Sequence, residues 1–394
     1  MNRALFAVGS VVAALVAASP AVAQQTVKIG LILPYSGQFA DTATQMDNAI
    51  KLYMKKYGDT VAGKKIQIIR KDSGGIAPDV AKRLAQELVV RDKVDVLTGL
   101  ILTPNALAIG DVSAEAKKFT VIMNAATSII TTKSPYMART SVTTPMLNET
   151  LGAWAAKNGV KRVFTMVSDF GPGHDGEEGF HRAFKEAGGQ IVGAVRFPVA
   201  NPDFAAFVQR AKDSNPDGIY AWIPGGTQPA ALGKALSERG IDPKKVKIMG
   251  QDVLTADEAL KSMGDGALGI ISVANYDYNH DSKLNREFVK AYNSAYGGRN
   301  PDLFSIGGYD GMHLIYEVLK KTKGRTDGEA MIGAAKGMKW ESPRGPMMID
   351  PETRDVVQTV YIRRVEKVGG RLRNVEFHKV ENVKDPVKAR MAKK

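Results

Sequence analysis

The chain has no cysteine among its 394 residues, and only three tryptophans and five histidines. Without cysteine there is no disulfide, no thiol nucleophile and no cysteine-bound metal, so stability rests on well-filled apolar cores. The histidines, at 174, 181, 280, 313 and 378, are scattered. Neither H-E-x-x-H nor G-x-S-x-G occurs, which removes two familiar signatures of hydrolytic chemistry. Long apolar runs are equally scarce: beyond the opening segment none reaches the roughly 20 residues a spanning helix needs.

The opening segment "MNRALFAVGSVVAALVAASPAVAQQ" has a basic start at Arg3, an alanine-rich apolar run and a small-x-small end at Ala21-Val22-Ala23. That pattern reads as a secretory leader, residues 1–23, cleaved to give a soluble periplasmic protein from Gln24 onward. Removing 23 of 394 residues leaves 371, too many for one ordinary core, so two domains are expected. The net charge of +13 is spread thinly. Its one local excess, the tail at 381–394, is read as a solvated, partly frayed basic end and not as a nucleic-acid arm.

One rhythm fills the rest. Short β-rich runs at 27–33, 65–70, 94–99 and 118–124 alternate with segments of helical periodicity, and a second series begins where Thr144 is placed to cap and Pro145 to open a helix at 146–157. Strands follow at 161–168, 190–197, 217–223, 246–250 and 267–274, separated by helices near 175–187, 203–213 and 228–239. The chain is then mostly helical to about 337 and ends in three β-rich runs. Alternating strands and helices imply an α/β class with doubly wound parallel sheets. The late elements are too few for a third domain, so the chain crosses between two lobes more than once, and a ligand cleft lies between them at the strand ends.

The stretch "SDFGPGHDG" sets Gly171, Gly173 and Gly176 in the G-x-G-x-x-G spacing of dinucleotide sites, after a strand and before a helix. Two requirements of such a site fail. The following strand ends in "AVRFPVANP" with no acidic residue for a ribose, and Pro172 removes an N–H from the loop. The glycines therefore read as a turn passing close to something, with Phe170 displayed beside it, and no nucleotide or other cofactor is expected. His174 with Asp169 and Asp175 makes a poor metal or acid–base cluster, since neighbouring side chains in a polar loop point apart. The loops "GLILTPN" (99–105) and "MNAATS" (123–128) suit a small anion or zwitterion better, offering small residues, amides and the hydroxyls of Thr103 and Thr127.

"VKIGLILPYSGQFAD", "AAT" at 125–127, "SDFGPG", "WIPGG" (222–226) and "IMGQD" (248–252), in this order, make nearly the whole mature chain similar to the leucine/isoleucine/valine-binding family of periplasmic solute-binding proteins. The resemblance implies the type I fold: lobes of 24–142 plus 275–350 and of 143–274 plus 351–380, joined by three crossovers near 142, 275 and 350. It implies no enzyme but a monomeric receptor that closes over its ligand and delivers it to the membrane permease of an ABC importer; a ligand sensor shares the fold. The family's carboxylate-holding positions fall on Leu102, Thr103, Ala125, Ala126 and Thr127, its ammonium-holding acid on Asp252, and an aromatic of the second lobe on Phe170. Leu102 stands where the family commonly has serine, and Thr42 where it has a ligand-facing aromatic. Tyr35, Phe39, Gly225, Tyr276 and Phe304 complete the expected walls. An amino acid is the first expectation for the ligand, and an aromatic or other small carboxylate, benzoate- or cinnamate-like, the alternative. Asp252 discriminates: a carboxylate in a dehydrated cleft needs a cation or donor, from the ligand or from the protein.

Overall fold

The computed structural model describes residues 25–392, so the leader lies outside the described residues. Thr26–Leu33 is the centre of the first lobe, and its nearly continuous burial follows from helices covering both faces of a parallel sheet. It pairs in parallel with Lys64–Asp72 on one side and with Val96–Gly99 on the other, Ile29 facing Ile68 and Val96. Phe119–Ile122 and Met137–Arg139 extend the sheet in parallel, and the short Thr60–Val61 closes its other edge antiparallel. Period-two alternation divides the side chains between two cores. Ile29, Leu31 and Val121 pack with the helices Ala40–Tyr57 and Leu303–Lys321, while Ile32, Leu97 and Ile122 pack with Pro78–Val90 and Thr103–Glu115.

The second lobe repeats the plan. Gln190–Phe197, Arg162–Ser168, Gly218–Trp222, Lys247–Gln251 and Ile271–Ala274 lie side by side in parallel. The long strand Val356–Val368 then pairs antiparallel with Ile271–Ala274. The helix expected at 146–157 spans Thr144–Lys157, with Thr143 as N-cap and Thr144 already inside the first turn.

Two expectations about the chain's late course are corrected. Lys339–Ser342 and Gly345–Ile349, placed with the first lobe by a crossover near 350, form an antiparallel pair whose second strand bonds to Val356–Val368. The third crossing therefore precedes Lys339, because strand pairing with the second sheet captures both segments. Near 350 the chain is also engaged with the first lobe: Ile349 lies in that lobe's core, Arg139 N–H donates to Arg354 O at 2.9 Å, and the Arg354 guanidinium donates to Met137 O at 3.1 Å and Thr131 O at 2.6 Å. Nor does the tail fray over its described residues, 381–392. The strand Arg371–Val383 leads into a helix, Pro386–Met391, in which Lys388 is buried against Asp355 while Arg390 pairs with Glu149 at 2.7 Å. Asp355 is itself buried beside Arg139, so Lys388 completes a charge cluster that would otherwise be costly.

The crossings share one residue. Arg344, 2% exposed, donates to Asp310 Oδ2 at 2.8 Å, to Ser141 O at 3.2 Å and to Gln358 Oε1 at 3.0 Å. It thereby joins a helix of the first lobe, the first crossing and the strand Val356–Val368 of the second lobe.

Candidate functional site

The first lobe's side of the cleft starts from a forced turn. Gly99 takes φ +97°, and a Cβ there would meet Ile32 O at 2.5 Å, so only glycine fits. Leu100 follows at φ +56°, a conformation a leucine rarely adopts. This reversal aims the start of the helix Thr103–Glu115 at the cleft, and its N-cap, Leu102, supplies no side-chain acceptor. The Thr103 hydroxyl is buried there without a partner among the described residues.

A second helix start faces it. Gly171–Glu186 begins after Phe170 in extended backbone, again with no side-chain cap. Here the glycine spacing finds its reason. A Cβ on Gly173 would fall 1.9 Å from Ser168 O, and one on Gly176 would fall 2.6 Å from Trp222 Cδ1 and 2.9 Å from the Tyr220 hydroxyl. A Cβ on Gly171 would lie 3.7 Å from Thr127 Oγ1 and 3.9 Å from Thr103 Cγ2, so the helix start rests on the first lobe. The glycines let a helix dock closely and leave room for the Trp222 ring. On the other flank Gly225 approaches Phe304 and Thr42, and Gly226 approaches Gln38 O, so the lobes touch on both sides of an enclosed space.

That space is a cavity of about 90 Å³. Phe39, Leu147, Phe170, Leu303 and Phe304 wall it, and the Phe170 and Trp222 rings meet edge to face at 5.5 Å and 62°. Leu303 and Phe304 are set there by a capping box in which Asp302 and Ser305 satisfy each other's amides. The Trp222 indole N–H, like the Thr103 hydroxyl, is buried without a partner among the described residues. Thr103 and Phe170 stand at the starts of helices whose N-caps supply no side-chain acceptor, where the helix dipole favours an anion. Asp252 lines the same cavity; its Oδ1 accepts the Val253 amide at 2.9 Å, and no lysine or arginine pairs with it among the described residues. Burial pushes its carboxyl up to about 6, with Arg363 pulling the other way. Arg363 itself is committed to Asp277 at 2.7 Å and to Ser272.

Of the residues expected at the site, the cavity brings together Phe39, Leu102, Thr103, Ala126, Phe170, Gly225, Asp252 and Phe304. Four others lie off its wall. Tyr35 packs on the first core beside Asp47 and Arg70. Ala125 turns its methyl into the core and spends its amide on Leu100 O. Thr127 faces a separate groove with Asp175, whose carboxyl is raised by burial. Tyr276 donates to Asn285 at 3.0 Å and borders a neighbouring chamber. His174 bonds Asp169 at 2.7 Å on an exposed surface, and among the described residues no group of three or more His, Asp or Glu side chains is placed to hold a metal. Sequence reasoning missed Trp222, although "WIPGG" at a strand end was its signal; Leu147 and Leu303 carry none.

Two doubly wound lobes, joined by three crossings and closed over a small cavity at their strand ends, define a bilobal solute receptor. The family model described as periplasmic binding protein matches residues 26–370. A Leu/Ile/Val-binding protein homolog from Brucella melitensis is 40% identical over 372 residues, covering 94% of this chain and 95% of the relative. Among solved structures, a solute-binding protein of an ABC transporter from Rhodopseudomonas palustris BisB5, in complex with 3,4-dihydroxybenzoic acid, is 52% identical. It covers 92% of this chain and 99% of its own, with a TM-score of 0.89. Another from R. palustris, in complex with 4-hydroxybenzoate, is 38% identical, covers 93% and 100%, and also scores 0.89. The chain belongs to the type I periplasmic binding protein family and is the substrate-binding component of an ABC transporter.

Proposed function

We propose that this protein captures a hydroxylated aromatic carboxylate of the hydroxybenzoate class and that an amino acid is not its ligand. The observation that carries this reading is the make-up of the cavity lining: Thr103 and Trp222 with unpaired polar groups, ring surfaces, and the Asp252 carboxylate with no cation among the described residues. A ligand carboxylate takes the Thr103 hydroxyl, the Trp222 N–H and the helix-start amides, gaining hydrogen bonds strengthened by its charge. The ring stacks among Phe39, Phe170 and Phe304, and a phenolic hydroxyl donates to Asp252, which thereby finds the partner the protein withholds. The two similar structures holding 3,4-dihydroxybenzoic acid and 4-hydroxybenzoate support the same class.

The unpaired Asp252 also fits an ammonium group, and the curated relative's name points to aliphatic amino acids. The decision lies in titration calorimetry of the refolded, ligand-free protein, residues 24–394, against 4-hydroxybenzoate, 3,4-dihydroxybenzoate, leucine and phenylalanine. Heat from the hydroxybenzoates with none from leucine is the expected result. The reverse order would return Asp252 to the ammonium role. In this reading the leader at 1–23 directs export, the ligated protein acts as a monomer, and the closed lobes present the solute to the permease.

A further inference from the structure

The small cavity does not end at Asp252. It adjoins there a second chamber of about 670 Å³, the two sharing Gly225, Asp252, Val253, Leu303 and Phe304 as a common rim. Thr103, Phe170 and Trp222 border only the small cavity, so a ligand anchored by its carboxylate at that end points its far end through the rim.

The chamber's cations are already occupied. Arg299 forks onto Asp41 at 2.7 and 2.5 Å, Arg363 is held by Asp277 at 2.7 Å, and Lys261 by Glu258 at 2.8 Å. Two acceptors on its lining lack such a partner. Asp252, 8% exposed, has no cationic partner among the described residues, and Asn374, 6% exposed, gives its Nδ2 to Thr255 O at 2.9 Å while its Oδ1 stands buried without a donor. A carboxylate without a cation loses hydration when a ligand covers it, and a ligand that brings a donor removes that cost.

We propose that the chamber is a subsite for a para substituent longer than a hydroxyl and ending in a hydrogen-bond donor, so that the protein takes aromatic acids extended by a short amino- or hydroxyalkyl arm. This rests on the aromatic-acid reading above and adds a size and a polarity to it. The rim sets the order of groups: carboxylate, ring, then donor at Asp252 and Asn374. A purely aliphatic arm fills the same volume yet leaves both acceptors unpaired.

Calorimetry with 4-hydroxybenzoate, 4-ethylbenzoate, 4-(2-hydroxyethyl)benzoate and 4-(2-aminoethyl)benzoate tests it. The aminoethyl compound is expected to bind about tenfold or more tightly than the ethyl compound, as a charge-assisted bond to a buried carboxylate should, with the hydroxyethyl compound between them. In Asp252→Asn the ratio of aminoethyl to ethyl affinity should shrink to less than about threefold. Equal binding of the ethyl and aminoethyl compounds to the unaltered protein, or binding of 4-hydroxybenzoate alone, overturns the subsite and leaves the aromatic-acid reading standing. Failure of 4-hydroxybenzoate together with all three extended acids removes both. The unaltered protein carries the decisive matched pair, so the outcome does not hang on how well the variant folds.

Discussion

The first lobe places its polar groups on the cavity through backbone turns and small residues, at the uncapped start of Thr103–Glu115 behind the Gly99–Leu100 turn and at Ala126. The second builds its wall from large side chains at three strand ends, Phe170, Trp222 and Asp252. The contrast separates two jobs. A charged group common to many ligands suits rigid amides and hydroxyls that need no reorganisation, whereas shape and far-end polarity suit side chains that can be exchanged without disturbing a turn. Phe39, Leu303 and Phe304 bring large apolar side chains from the first lobe as well, and Phe304 meets Gly225 of the second.

Breaking the joint between the lobes should have the largest effect. Arg344→Met leaves Asp310 buried beside Ser342 with no cation, a loss expected to cost about 3–5 kcal/mol. Urea unfolding should then show a lower midpoint and resolve into two transitions, one per lobe; a shift under about 1 kcal/mol would mean that packing alone holds the crossings. Next comes the second lobe's donor. Trp222→Phe keeps an aromatic ring and removes the N–H, so 4-hydroxybenzoate should weaken by about ten- to a hundredfold while the melting point of the free protein moves little. An unchanged dissociation constant would assign the carboxylate wholly to the first lobe.

The smallest effect concerns Asp252 in the ligand-free protein. Its carboxyl is raised from 3.8 to about 6 by burial, so the stability it contributes is complete below pH 4 and disappears as pH rises through about 6. Asp252→Asn does not titrate. It should therefore stabilise the free protein at pH 8, by on the order of 2 kcal/mol, and make little difference near pH 4. Thermal melts of both proteins across that range give the answer, and a pH-independent difference would show that the carboxylate carries no burial penalty.

Much of this was legible along the chain. The first lobe's wall comes from two short stretches, 99–105 and 123–128, whose composition announces turns and helix starts, so Thr103 and Ala126 were within reach of sequence reasoning. Trp222 was harder, because strand residues do not declare which end meets a cleft. The tail was misjudged for a definite reason: lysines near a chain end look solvated until Asp355, met only after folding, gives Lys388 a buried partner.

By itself, the sequence determined the alternation of strands and helices, the two cores and the crossing between lobes, since hydrophobic periodicity and turn residues act over a few positions. It also held the glycine spacing at 171, 173 and 176, but not its meaning. Only the tertiary structure decided that Gly173 serves close helix docking on Ser168 and Gly176 makes room for Trp222, that Arg363 is committed to Asp277 and leaves Asp252 without a cation among the described residues, and that the cavity adjoins a larger chamber. Each depends on which distant groups reach one another, and burial and electrostatic pairing are set by that proximity in space, not along the chain.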